Sequence, residues 1–239
     1  MRRIVRTSEP PGLGGHRAAG LARIRALGRP PVRKEIPDTY REVAQALWRM
    51  QHMRCCYCEV FVHREFNDVE HYRPCSLYWW LAWDWSNLLF ACARCNRKHK
   101  HDAFELEPGS RRLVAEQTPP GAEVPLLIDP SAVDPRAHIA YVCVKGKWVP
   151  TGRTPAGAHT IRELALDSDA LIEHMTRYYE STLAPAIQQL ARSVHDLSLP
   201  LELVWRSTVE RLISPGAEFV GLAEDAIAAR FPSYPQPPR

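Results

Sequence analysis

A chain of 239 residues with 45% hydrophobic and 24% charged residues can bury a sizeable core, which excludes a wholly disordered or fibrous protein. The net charge of +4 is small but uneven, since residues 1–34 carry nine Arg or Lys against a single acid, Glu9. No apolar run reaches the length of a membrane helix and none of signal-peptide length follows Met1-Arg2-Arg3, so a cytoplasmic protein without a membrane span is expected.

In chain order, residues 1–35 read as a basic, flexible arm punctuated by Pro10-Pro11 and Pro30-Pro31. Such an arm suits either contact with nucleic acid or a solvated tail. A helix is expected from an Asp38 cap to about Gln51, with Tyr40, Val43, Leu47 and Met50 on one apolar stripe. Residues 60–66 alternate like a half-buried strand, Asn67-Asp68 is a turn signal, and 69–72 is expected to return as a second short strand. The aromatic run 78–85, with Trp79, Trp80, Trp83 and Trp85, reads as core packing more readily than as a surface for stacking on bases.

Residues 107–155 are rich in Pro and Gly, and two or three short strands are expected there, with a hairpin turn at Lys145-Gly146-Lys147. From 156 to 231 the pattern is helical, with Ser168 as a cap and Pro185 as a kink. Residues 232–239 form a Pro-rich tail, and the overall class is α+β. No glycine-rich phosphate loop is present, so a nucleotide-driven step would need a partner.

The most informative stretch is 55–100. Cys55 and Cys58 form one Cys-x-x-Cys pair, and Cys92 and Cys95 form another. Four thiolates in two close pairs suit tetrahedral Zn²⁺, and a closed site of this kind is structural because it leaves no open position. Of the other cysteines, Cys56, Cys75 and Cys143, buried free thiols are expected. Chemistry must then come from what the two pairs hold apart. Phosphodiester hydrolysis needs a base, a divalent ion and something to hold the base in place. His71 is the candidate base, Glu70 an oxygen ligand for Mg²⁺ or Mn²⁺, and Asn87 a brace for the loop near His71. Asn96 can offer its carbonyl oxygen to the same ion, although His99 or His101 could replace it. On a regular strand Glu70 and His71 point to opposite faces, so a shared site requires the strand to end or twist there. Arg73, Arg97 and Lys98 are placed to meet phosphate oxygens, whereas Arg54, Arg94 and Arg97 could instead offset the charge of the thiolate centre.

These residues resemble the HNH nuclease family in its zinc-supported, ββα-metal form. The resemblance rests on Cys55-x-x-Cys58, Val69-Glu70-His71-x-x-Pro74, Asn87-Leu88-Leu89 and Cys92-x-x-Cys95-Asn96-x-Lys98. It implies a small zinc-stapled nuclease core over 36–106, with His71 as general base, Glu70 and Asn96 as ligands of one divalent ion, and Asn87 positioning the loop. Asn96 stands where the final His of the family pattern would be. Further matches, among them His71-Tyr72-Arg73-Pro74, Asp84-Trp85-x-Asn87-Leu88 and Pro125-Leu126-Leu127-Ile128-Asp129-Pro130, resemble the HNH subunits of Septu-type and retron-associated antiphage systems. That resemblance implies a DNA-cutting effector controlled by an ATPase partner. Two other readings fit the same residues: an RNA nuclease, for example on tRNA, and a non-catalytic zinc module that binds nucleic acid or a partner protein.

Overall fold

The computed structural model describes residues 1–36, 41–195 and 201–232. The expected Asp38 cap, Tyr40 and the Pro-rich tail from 233 onward fall outside them. The class is α+β, with seven α-helices and two separate two-stranded antiparallel sheets among the described residues. None of the described helices is long and apolar enough to cross a membrane.

The N-terminal segment is packed, not a free arm. Arg6 donates to the carbonyls of Trp85 (2.6 Å), Ser86 (2.7 Å) and Leu88 (2.9 Å), and the Met1 amino group meets Glu59 Oε1 at 2.6 Å. Helix α1 (Leu13–Arg25) buries Leu13, Gly20 and Ile24. The expectation of irregular structure failed because Pro10 and Pro11 precede the helix, where proline costs nothing, and Pro30 lies beyond its end. Gly20 is what allows the close approach: a Cβ there would stand 2.6 Å from the Trp83 ring. Gly20→Val is expected to destabilise the protein by about 1–3 kcal/mol in urea unfolding, and an unchanged midpoint would mean that α1 does not dock on Trp83.

Helix α2 (Arg41–Met50) buries Val43 and Leu47, as its apolar stripe requires. Strand β1 (Asp68–His71) does not pair with residues 60–66. It pairs antiparallel with β2 (Leu88–Ala91), with Glu70 opposite Leu89 and His71 opposite Leu88. The wholly apolar Leu88-Leu89-Phe90-Ala91 run is buried at every position and makes the better partner, while 64–66 turn as a 3₁₀ helix. Buried Gln51 extends this sheet by donating to Phe90 O (2.7 Å) and accepting from Phe90 N (2.8 Å). A π-helical turn, Arg94–Lys100, follows β2, so two antiparallel strands and a helical turn occur in that order.

Beyond the sheet, Trp80, Trp83 and Trp85 are buried, as core packing predicts, which removes most of the stacking surface that a base-binding reading would use. Strands β3 (Ile139–Val144) and β4 (Lys147–Gly152) form the expected hairpin. The run at 126–128 joins no sheet; Leu106 and Pro125 make an isolated bridge instead. Helices α3 (Pro155–Glu163), α4 (Asp169–Tyr178), α5 (Ala184–His195), α6 (Leu201–Leu212) and α7 (Val220–Arg230) follow. The expected disturbance at Pro185 is a π-helical stretch, Tyr179–Leu183, inserted just before α5. A proline there lacks the N–H that would continue the ladder, and the chain widens by one residue to accommodate it.

Candidate functional site

The Sγ atoms of Cys55, Cys58, Cys92 and Cys95 lie within 4.8 Å of one another, and Cys58 and Cys92 are 3.7 Å apart. Tetrahedral zinc with bonds of about 2.3 Å demands sulfur separations of about 3.8 Å. The donor set therefore fits a metal ion such as zinc. Backbone N–H groups already point at the sulfurs, Cys92 N at Cys55 Sγ and Cys95 N at Cys92 Sγ, both at 3.3 Å. Such bonds stabilise thiolate ligands. Cys56 stands apart from the four; burial pushes its thiol pKa well up, as suits an inert buried cysteine.

The arginines beside the cysteines are neither free nor aimed solely at sulfur. Arg54 binds Glu218 at 2.7 Å, and Arg94 donates to Ala165 O and Ser168 Oγ. Glu59, directly after Cys58, accepts from Val220 N at 2.9 Å. The cysteine unit is thus bolted to the C-terminal helices through residues of its own knuckles.

His71 lies at the end of β1 and is half-buried. Its Nε2 is 2.9 Å from Ala82 O. With that nitrogen donating to the carbonyl, a neutral imidazole carries its lone pair on Nδ1. The loop that offers the carbonyl is held by Asn87. Buried Asn87 accepts from Arg73 N (2.8 Å) and donates to Arg73 O (3.0 Å) and Leu81 O (3.2 Å). An Asp84 side chain accepting from Ser86 N turns the chain into Asn87, and Tyr72 N bonds Asn87 O at 2.9 Å. One side chain therefore braces both segments that flank His71.

Glu70 is not turned toward Asn96. It is 2% exposed, and its Oε1 meets Lys100 Nζ at 2.7 Å and Tyr57 OH at 3.0 Å. Lys100, fully buried, also donates to His71 O at 2.9 Å. Asn96 instead donates to Asp68 Oδ2 at 3.1 Å, and Arg97, whose side chain is 65% exposed, forks onto the same Asp68 carboxylate. Strand alternation explains the grouping, since Asp68 and Glu70 share one face of β1 and His71 takes the other. A hydrated Mg²⁺ or Mn²⁺ needs accessible oxygens and keeps several waters. A buried carboxylate already neutralised by an ammonium does not fit that demand.

Arg73 also departs from its expected role. Its guanidinium is buried against Glu123, 2.9 Å from Oε2, where Tyr78 OH and Leu113 N also bond the carboxylate, so it braces the loop and does not meet phosphate. Lys98 is exposed, His99 half-buried and His101 exposed. Sequence reasoning overlooked Lys100, Tyr57, Asp68 and Glu123. None left a local signal of its role, since each meets its partner across at least 13 residues of sequence.

No family model matches the chain. Two proteins named Septu protein PtuB are similar to it. That of Bacillus mycoides (strain KBAB4) is 34% identical over 120 residues, which is 44% of this chain and 40% of the relative. That of Bacillus thuringiensis is 34% identical over 107 residues, 43% of this chain and 34% of the relative. The chain thus spans 40% and 34% of the length of these curated relatives. Over the aligned stretch it is related to the Septu protein PtuB.

Proposed function

We propose that this chain is the nuclease component of a Septu-type antiphage defence system and hydrolyses phosphodiester bonds, DNA by preference, under the control of an ATPase partner. The observation that carries the reading is the braced imidazole: His71 Nε2 tied to Ala82 O, with Asn87 fixing the loop on both sides. A general base must be held in one tautomer and one orientation, and these bonds support that role. Water would lose its proton to His71 Nδ1 and attack phosphorus in line with the leaving oxygen, whose P–O bond breaks as that oxygen takes a proton from solvent. Exposed Lys98 stands as a positive charge for the backbone of the substrate. The relation to PtuB supports the defence setting.

A metal ion held by Cys55, Cys58, Cys92 and Cys95 would hold together the unit that carries these residues, and its closed ligand set assigns it no part in the reaction. The test is incubation of the purified chain, with and without a candidate ATPase partner, on supercoiled plasmid and on tRNA, in Mg²⁺, Mn²⁺ or EDTA. Plasmid cleavage is the expected result. Cleavage of tRNA alone would replace the substrate. Salt-sensitive binding with no cutting under any condition would overturn the enzyme reading in favour of a binding module.

A further inference from the structure

We infer that Lys100 is the resident cation of Glu70, and that this buried pair positions the His71 end of β1 instead of ligating a divalent ion. The positioning part rests on the nuclease reading above; the pairing part does not. A carboxylate and an ammonium, 2% and 0% exposed, are stable in a protein interior only when each satisfies the other. Here the match is close. Lys100 Nζ reaches Glu70 Oε1 at 2.7 Å, and Tyr57 OH donates to the same oxygen at 3.0 Å.

Lys100 makes a second bond that points to its purpose, since it donates to the carbonyl of His71 at 2.9 Å. One ammonium thus grips a side chain and a main-chain oxygen on consecutive residues of β1. It ties the last residue of the π-helical turn to the strand end that carries the imidazole. His71 is then held from two directions, its ring by Ala82 O and its backbone by Lys100. A divalent ion at Glu70 would have to displace Lys100 from full burial and bring its own waters into a site with no exposure. The pattern that would name Glu70 a metal ligand is met in this chain by an internal salt bridge.

The test uses the full chain and three variants: Glu70→Gln, Lys100→Met and the two combined. Each is followed by urea unfolding, zinc content, Mn²⁺ affinity from the electron paramagnetic resonance of free Mn²⁺, and kcat and KM for cleavage. Each single variant leaves one buried charge alone and is expected to shift the folding equilibrium by on the order of a hundredfold or more. The double variant removes both charges and is expected to recover most of that loss. It should also keep the Mn²⁺ affinity of the parent, while kcat falls at unchanged KM because the His71 carbonyl has lost its anchor. Additive destabilisation in the double variant would overturn the pairing. An Mn²⁺ affinity lower by on the order of tenfold or more in both Glu70→Gln and the double variant would restore Glu70 as a ligand. A double variant with the kcat of the parent would overturn the positioning role. If the parent proves inactive on every substrate, the nuclease reading fails, and the unfolding cycle still decides the pair by itself.

Discussion

Replacing His71 with Ala is expected to abolish cleavage while leaving zinc content, far-UV circular dichroism and the unfolding midpoint close to those of the parent. General-base catalysis contributes roughly 10²–10⁴-fold, so residual activity should sit at least two orders of magnitude down. The fold should tolerate the change because the ring is half-buried and its Nε2 bonds a loop carbonyl that Asn87 already fixes through Leu81 O and Arg73. Asn87→Ala makes a contrasting probe. Its amide is 2% exposed and makes three hydrogen bonds, so both stability and rate should fall. Cleavage by His71→Ala at the parental rate, measured on the plasmid substrate, would remove the base assignment and the reaction drawn from it.

Cys58→Ser or Cys92→Ser is expected to lose the bound metal and unfold the protein well beyond the cysteine unit. Structural zinc in small domains contributes about 10–16 kcal/mol of apparent binding energy, more than the whole stability of a typical domain. The reach of the damage follows from the contacts of the knuckles. Arg54, Glu59 and Arg94 hold Glu218, Val220 N, Ala165 O and Ser168, so α4 and α7 lose their anchorage with the metal. Chelation with a strong zinc ligand should reproduce the effect in the parent. The measurements are metal content by atomic absorption and the unfolding transition by circular dichroism. A folded Cys92→Ser variant without metal would show that packing alone sustains the unit.

Much of the molecule was legible in the sequence because the relevant signals are local. The two Cys-x-x-Cys pairs, the apolar stripe of α2, the Lys145-Gly146-Lys147 turn and the helical periodicity from 156 onward each arise within a few residues. The aromatic run likewise announced a core. The partner of β1 was not legible, since an alternating run at 60–66 and an apolar run at 88–91 compete for the same strand, and the run that pairs is the one buried at every position. The basic N-terminal segment misled for a related reason: its charge suggested a free arm, but Gly20 against Trp83 and Arg6 on three carbonyls are contacts to residues far along the chain.

The candidate site divides along the same line. The sequence by itself determined which residue types are present and how far apart they lie along the backbone, and this sufficed for the thiolate cluster, where spacing is the chemistry. Only the tertiary structure decided which charges meet. Lys100 comes to Glu70, Arg97 and Asn96 come to Asp68, and Arg73 comes to Glu123, because a side chain of several rotatable bonds takes the partner that the packing of other elements brings within hydrogen-bonding distance.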